Sequence, residues 1–171
     1  MHHPTKHHFV SVTTVVIKDG KYLITKRSPN AKAFPSKWTV PGGKIETHDY
    51  ERKEKDSSDA WYNIFEQVAA REVKEETGID IKNIKYLTNL VFKRPDGIPT
   101  IVVSMFADYD KGDVILSDEM TEHKWVNLEE AKGHDFISGI YEELELLEHH
   151  FKGNPIKTWK EHNAPSSDPS T

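Results

Sequence analysis

The sequence predicts an α/β sandwich in which a mixed sheet lies between helices. Three observations carry this: β-branched runs punctuated by turn residues, a single apolar stripe at helical spacing in the middle of the chain, and a second helical pattern near the C-terminus. The resulting order, β-β-β-α-β-β-β-α, is that of a layered α/β domain. Nothing repeats internally, and the length of 171 residues suits one domain with a substantial core.

Each element follows from local chemistry. "FVSVTTVVI" from Phe9 to Ile17 is rich in β-branched residues, and Asp19-Gly20 supplies hairpin-turn chemistry before "KYLITKR". "KWTV" at 37–40 reads as a short strand ended by "PGG" at 41–43, where two glycines allow a tight loop. "KIETHDYERKEKDSSD" is polar and aperiodic, hence a surface loop. Trp61, Ile64, Phe65, Val68 and Ala69 then recur at helical spacing up to Gly78, which suits the position just past a helix end. "IKYLTNLVFKR" and "IPTIVVSMFADY" flank Pro95-Asp96-Gly97 and form a second, longer hairpin. "HKWVNL" at 123–128 is another strand, Glu129 to Lys132 a helical turn, and "GIYEELELLEHHF" a final helix with Ile140, Leu144 and Leu147 on one stripe.

Composition narrows the class. Charged residues make up 30% and hydrophobic ones 36%, with a net charge of −5 and no long block of one sign. That gives no basic footprint for duplex nucleic acid. The absence of cysteine excludes disulfides and thiolate metal sites. No run approaches the roughly 18 apolar residues of a membrane span, and "MHHPTKHHF" has no apolar signal core, so a cytoplasmic location is expected. Four of the ten histidines fall at 2, 3, 7 and 8. They fit a frayed tail, although His-rich tracts can also bind transition metals. The expected organisation is a flexible tail at 1–8, a domain at 9–152 and a disordered tail at 153–171.

The stretch "REVKEETG" at 71–78 places Glu72, Glu75 and Glu76 at the C-terminal end of the central helix, where the macrodipole disfavours negative charge. At 100° per residue the apolar positions 61, 64, 65, 68 and 69 span an arc of about 140°, and all three glutamates fall inside it. The face that should be core thus becomes anionic along its own axis. Two readings are open on these residues alone. The cluster is a solvated helix end partnered by Arg71 and Lys74, or it holds a hard divalent cation such as Mg²⁺, which takes carboxylate, water and phosphate oxygens. The lack of neighbouring histidine and cysteine argues against zinc. "DYERKEKDSSD" lacks the central glycine and terminal glutamate of an EF-hand loop.

"GGKIE" followed by "REVKEETGI" resembles the Nudix box of the Nudix hydrolases, G-x5-E-x7-R-E-U-x-E-E-x-G-U with U aliphatic. Arg71, Glu72, Val73, Glu75, Glu76, Gly78 and Ile79 fill its second half. "KWTVPGG" and "EHKWVNLEEA" look like the family's flanks. One departure is plain. Counting back from Arg71 puts the box glycine at 57 and the first glutamate at 63, which are Ser57 and Asn63, whereas counting forward from Gly43 puts that glutamate at Asp49. A 14-residue insertion, at about 48–60, accounts for both counts, with Asp49 in the first glutamate's place.

The resemblance implies a Nudix-type α/β/α sandwich that hydrolyses a nucleoside diphosphate linked to another moiety, using Mg²⁺ or Mn²⁺. It implies that Glu75 and Glu76 ligate metal and that Glu72 ligates metal or orients and deprotonates the attacking water. Arg71 would hold the box together through a carboxylate, Gly43 would let the backbone approach the metal, and Gly78 would close the helix. A further base is expected ahead of the late tryptophan, with Glu119 preferred over Glu122 and His123. For the nucleotide-derived substrate, Arg27 can pair with phosphate, and Trp38, Phe34 and Phe92 can stack a base. Lys93 and Arg94 lie beside a turn that can overhang a cleft. A noncatalytic Nudix-fold nucleotide-binding module is the alternative, and would be expected to have lost box glutamates. Homodimers are common in the family.

Overall fold

The computed structural model describes residues 6–94 and 97–163. The chain begins with β1 (Phe9–Lys18) and β2 (Lys21–Arg27), joined at Asp19 and Gly20. Both turn residues have positive φ, 51° and 72°, as the tight hairpin turn matching strand twist requires. The two strands pair only beside the turn, Ile17 with Tyr22 and Lys18 with Lys21. They then part. β4 (Gly42–Lys44) pairs with β1 through Ser11–Lys44, Val12–Gly43 and Thr13–Gly42, and the two-residue β3 (Trp38–Thr39) pairs with β2.

"PGG" is therefore the start of a strand and not the loop expected. Gly42 is required there by space: a Cβ would lie 2.4 Å from the Val12 carbonyl oxygen. The next segment departs from expectation as well, because Thr47–Asp49 form a 3-10 turn and Asp49 is 5% exposed. Beyond it, the insertion folds on itself. Trp61 stacks on Tyr50 at 5.2 Å and donates its indole N–H to the Lys53 carbonyl, while Asp56 accepts the Tyr62 N–H.

Helix α1 (Ile64–Thr77) begins three residues later than the periodicity predicts. Asn63 has φ 54° and breaks the backbone path, so Trp61 belongs to the loop although its spacing matches the helix. Phe65, expected on the core face, is 40% exposed. β5 (Asp80–Lys93) and β6 (Pro99–Lys111) form the long hairpin, whose turn residues Pro95 and Asp96 lie outside the described residues. β6 runs parallel to β1 over Phe9–Thr100 through Ile17–Asp108. β7 (Met120–Val126) covers the other edge of β2, giving seven strands among the described residues, mixed as expected.

Alternation along the strands divides the core into two layers. Val12, Val16, Leu23, Val103 and Met105 face α1 through Val68, Ala69 and Val73. Val15, Tyr22, Ile24 and Phe106 pack with Leu144, Leu146 and Leu147 of α3 (Ile140–Phe151). The short α2 (Leu128–Ala131) opens with a capping box in which Asn127 accepts the Glu130 N–H at 2.8 Å and Glu130 accepts the Asn127 N–H at 2.9 Å. Part of the expected disordered tail is helical: α4 (Trp159–His162) stands near α3, with the His149 and His162 rings 5.6 Å apart. Residues 1–5 and 164–171 lie outside the described residues.

Candidate active site

The C-terminal end of α1 is the point on which β1, β2, β4 and the loop before β7 converge. Gly78 closes the helix at φ 76°, with its N–H on the Lys74 carbonyl. Two further carbonyls of the last turn are taken by the loop that follows β6. The Ile115 N–H donates to Thr77 O at 2.9 Å and the Ser117 N–H to Glu76 O at 3.0 Å. That docking leads directly to Glu119, whose carbonyl accepts the Ser28 N–H at 2.8 Å. The loop's backbone hydrogen bonds thus satisfy the helix end and bring a fourth acid to the cluster.

Glu76 is 4% exposed, and its Oε2 accepts the Gly42 N–H at 3.0 Å. Burial pushes its carboxyl up to about 8; the Gly42 N–H and the Arg27 charge oppose the shift, while Glu72 and Glu119 reinforce it. Glu72 is also raised, first by burial and then by the charges of Glu75 and Glu119, against the pull of Arg71. Gly43 faces Glu72 so closely that a Cβ there would lie 2.2 Å from Oε1. A side chain at 43 would force the Glu72 carboxylate out of this position under β4.

Arg71 ties the cluster together. Its Nε donates to Asp49 Oδ1 at 2.6 Å and its Nη2 to Asp49 Oδ2 at 3.2 Å, a bidentate pair with a buried acid. Nη2 also donates to the Lys44 carbonyl, and Nη1 lies 2.8 Å from Glu72 Oε1 and 2.9 Å from Glu75 Oε2. Burial works to raise Asp49, but its hydrogen bonds to Arg71 and the Glu46 N–H, with the charges of Arg71 and His48, hold it below the usual carboxylate range. Asp49 thus ties the end of the β4 segment to α1. The 3-10 turn Thr47–Asp49 sets this acid against Arg71 before the chain runs on through residues 50–63 to α1.

Not every expected site residue faces the cleft. Glu75 lies within the apolar arc by periodicity, yet its side chain is 58% exposed and turned toward Arg71. Trp38 is 6% exposed, packs in the α3-side core and meets His134 edge-on at 4.8 Å, so it offers no free face to a ligand. Arg27 acts on Glu76 electrostatically and fixes the loop after β2 through Nε to Ala33 O at 2.9 Å. Glu122 is paired with Lys26 at 2.7 Å across β2 and β7, and His123 is exposed on the same strand.

The residues present suit a hard cation. The donors are carboxylate oxygens, one acid is buried beside two others, and the Gly43 gap keeps the backbone close. Among the described residues no three acids or imidazoles already converge as a ligand set, because Arg71 draws Glu72 and Glu75 to its own Nη1. Sequence reasoning missed the Gly42 N–H and the buried hydroxyls of Thr14, Thr25 and Ser117, which lack protein partners among the described residues. Thr14 carries a signal for this: it is the polar position in the inward series Val12, Thr14, Val16.

The chain resembles known proteins in sequence and in fold. The chain is 41% identical over 62 residues to the NAD-capped RNA hydrolase NudC of Shigella dysenteriae serotype 1 (strain Sd197), a match covering 36% of this chain and 23% of that protein. The matched stretch is thus about a quarter of the relative's length. Its fold is similar to the MutT protein from Methanosarcina mazei Go1, with TM-score 0.64 and 26% identity over 86% of this chain and 97% of that one. It is similar also to a C. elegans Ap4A hydrolase in a binary complex, with TM-score 0.62 and 21% identity over 85% and 99%. No described helix is long and apolar enough to cross a membrane. The NUDIX domain matches residues 7–144, and with the box acids gathered at the end of α1 the chain belongs to the Nudix hydrolase family.

Proposed function

We propose that the protein hydrolyses the diphosphate linkage of a nucleoside diphosphate derivative with Mg²⁺ or Mn²⁺ held by Glu72, Glu75 and Glu76. The observation that carries this is Glu76, a buried carboxyl pushed up to about 8 by burial and by the charges of Glu72 and Glu119, against the Gly42 N–H and the Arg27 charge. Such a cluster is unfavourable without a cation. When bound, the metal lowers the pKa of a coordinated water and neutralises charge developing on the phosphates.

The chain's own residues supply the rest. Gly42 fixes one oxygen of Glu76 and leaves the other for the cation. Gly43 keeps β4 tight over Glu72. Arg71, anchored by Asp49, neutralises part of the repulsion between Glu72 and Glu75, the two acids that with Glu76 would hold the metal. Glu119, whose charge acts on Glu72 and Glu76, is the group that takes a proton from the attacking water, and Arg27 holds a phosphate oxygen. NAD-capped RNA and Ap4A, named in the relatives above, both contain an adenosine phosphate joined through a phosphoric anhydride, which supports that substrate class. The activity fits a cytoplasmic protein.

A panel of nucleoside diphosphate derivatives with Mg²⁺, scored for release of nucleoside monophosphate or phosphate, tests this. Turnover by the wild type and its loss in Glu75→Gln and Glu76→Gln is expected. Nucleotide binding without turnover of any member would favour the noncatalytic alternative, for which the present hold of Arg71 on two of the acids is the supporting observation.

A further inference from the structure

Thr14 and Thr25 are fully buried, and neither hydroxyl has a protein partner among the described residues. An orphaned buried hydroxyl is destabilising, and valine offers the same shape without that cost. Both threonines lie where the sheet splits. β1 and β2 pair through Lys18–Lys21 and Ile17–Tyr22. The same register sets Val16 with Leu23 in the cluster that faces α1, and Val15 with Ile24 in the cluster that faces α3. Its next pair is Thr14 with Thr25, so the two hydroxyl-bearing side chains face each other on the α1 side.

At this level β1 and β2 have separated, and the segment that carries β3 and β4 enters between them. Thr39 pairs with Thr25, the Pro41 carbonyl accepts the Thr14 N–H at 2.8 Å, and Gly42 pairs with Thr13. Thr39 is 5% exposed and gives its hydroxyl to the Val40 carbonyl at 3.2 Å, not to either threonine. Glu76 is held over the same fork from both sides. Val73, three residues earlier on α1, packs with Val16 and Leu23 at the closed side, and the Gly42 N–H at the open side is bonded to Glu76 Oε2 at 3.0 Å. Two hydroxyls without partners and a buried carboxylate are therefore gathered at one break in the sheet.

We propose that this fork binds an internal water molecule, which accepts from Thr14 and Thr25 and donates to Glu76, so that the two threonines position this carboxylate for the cation. About three polar partners is the usual complement of a buried water. The water site stands on the geometry of the fork, and its consequence for metal rests on the reading of Glu76 as a ligand.

The test uses the full chain, because valine gives opposite signs in a dry and a wet fork. Removing a hydroxyl that has no partner raises Tm, whereas removing one bonded to a held water lowers it. Thr14→Val and Thr25→Val should each lower Tm by about 2–4 °C, and the double variant should lose less than the sum, since both act through one water. Titration of Mn²⁺ followed by electron paramagnetic resonance should show affinity weakened about ten-fold in each valine variant. Thr14→Ser and Thr25→Ser keep the hydroxyl and should stay within two-fold of wild type. A crystal structure of the metal-free protein at a resolution that places waters should show one within hydrogen-bond distance of both hydroxyls and of Glu76. A dry fork in that structure, or a rise of Tm in both valine variants, would overturn the site. Mn²⁺ affinity within two-fold of wild type in both valine variants, or equal loss in the valine and serine variants, would overturn the positioning role. A bound water with the Tm losses, but no saturable Mn²⁺ binding by the wild type, would uphold the water site and remove the metal reading, and the positioning role with it.

Discussion

Replacing Asp49 with asparagine removes the charge that holds Arg71 while keeping the size of the side chain. Asp49 is 5% exposed and accepts two hydrogen bonds from the guanidinium at 2.6 and 3.2 Å, so the substitution leaves a largely buried cation without its main partner. Removing one member of a fully buried pair costs about 3–5 kcal/mol. Arg71 is 23% exposed and keeps Glu72 and Glu75 on Nη1, which brings the expected loss down to about 2 kcal/mol. For a chain of this size that is about 4–8 °C in Tm. The pH dependence has a definite sign. The folded carboxyl is held below its ordinary value, so its contribution is present above about pH 4 and disappears as the pH falls through the folded pKa. Urea unfolding of wild type and Asp49→Asn from pH 7 to pH 3 should show a gap that closes in acid, and a double-mutant cycle with Arg71→Gln should show coupling of about 1–2 kcal/mol. A Tm within 1 °C of wild type at pH 7, or a gap that does not narrow, would refute the pairing as the tie between the β4 segment and α1.

The two glycines of β4 should fail differently. Gly42→Ala meets the Val12 carbonyl at 2.4 Å, a backbone atom that cannot yield, and should destabilise by at least about 3 kcal/mol in urea unfolding, whereas Gly43→Ala meets only the movable end of Glu72 and should stay folded while losing hydrolysis. Gly78→Ala, at φ 76°, should cost about 1 kcal/mol by the same measurement. Glu143 is 1% exposed on α3, accepts Ser104 Oγ at 3.0 Å, and is pushed by burial to about 7 from 4.5, with Glu142 adding to the shift and Ser104 opposing it. A raised acid weakens the fold as the pH climbs from about 4.5 through 7, by up to about 3 kcal/mol. Glu143→Gln should therefore gain stability relative to wild type between pH 5 and pH 8, and an unchanged difference across that range would sink this reading.

Much of the fold was legible because periodicity and turn chemistry are local. β1, β2 and their Asp19-Gly20 turn, the β5–β6 hairpin and the end of α1 at Gly78 all follow from neighbouring residues. The misses were set by long-range contact. Gly42 and Gly43 look like loop glycines until β1 is laid against them, and Trp61 keeps helical spacing by coincidence while the insertion packs it on Tyr50. In the site, the arc argument placed Glu72 and Glu76 on the inward face. It failed for Glu75 because Arg71, one turn earlier, draws that side chain outward. Asp49 was reachable by counting from Gly43, but its bond to Arg71 depends on a 3-10 turn that the polar run "KIETHDYERKEKDSSD" does not announce. Trp38, expected at the substrate, is packed in the α3-side core, since an aromatic beside a glycine loop serves core and cleft equally well in sequence and only the packing of α3 and His134 decides between them.

The claim on which the rest stands is that the acids at the end of α1 hold a divalent cation. Titration of Mn²⁺ into the full chain, followed by electron paramagnetic resonance, measures this without any substrate. Saturable binding by the wild type, weakened at least ten-fold in Glu76→Gln, is the expected result. Equal Mn²⁺ affinity of wild type and Glu76→Gln, or no saturable binding by the wild type, would contradict it.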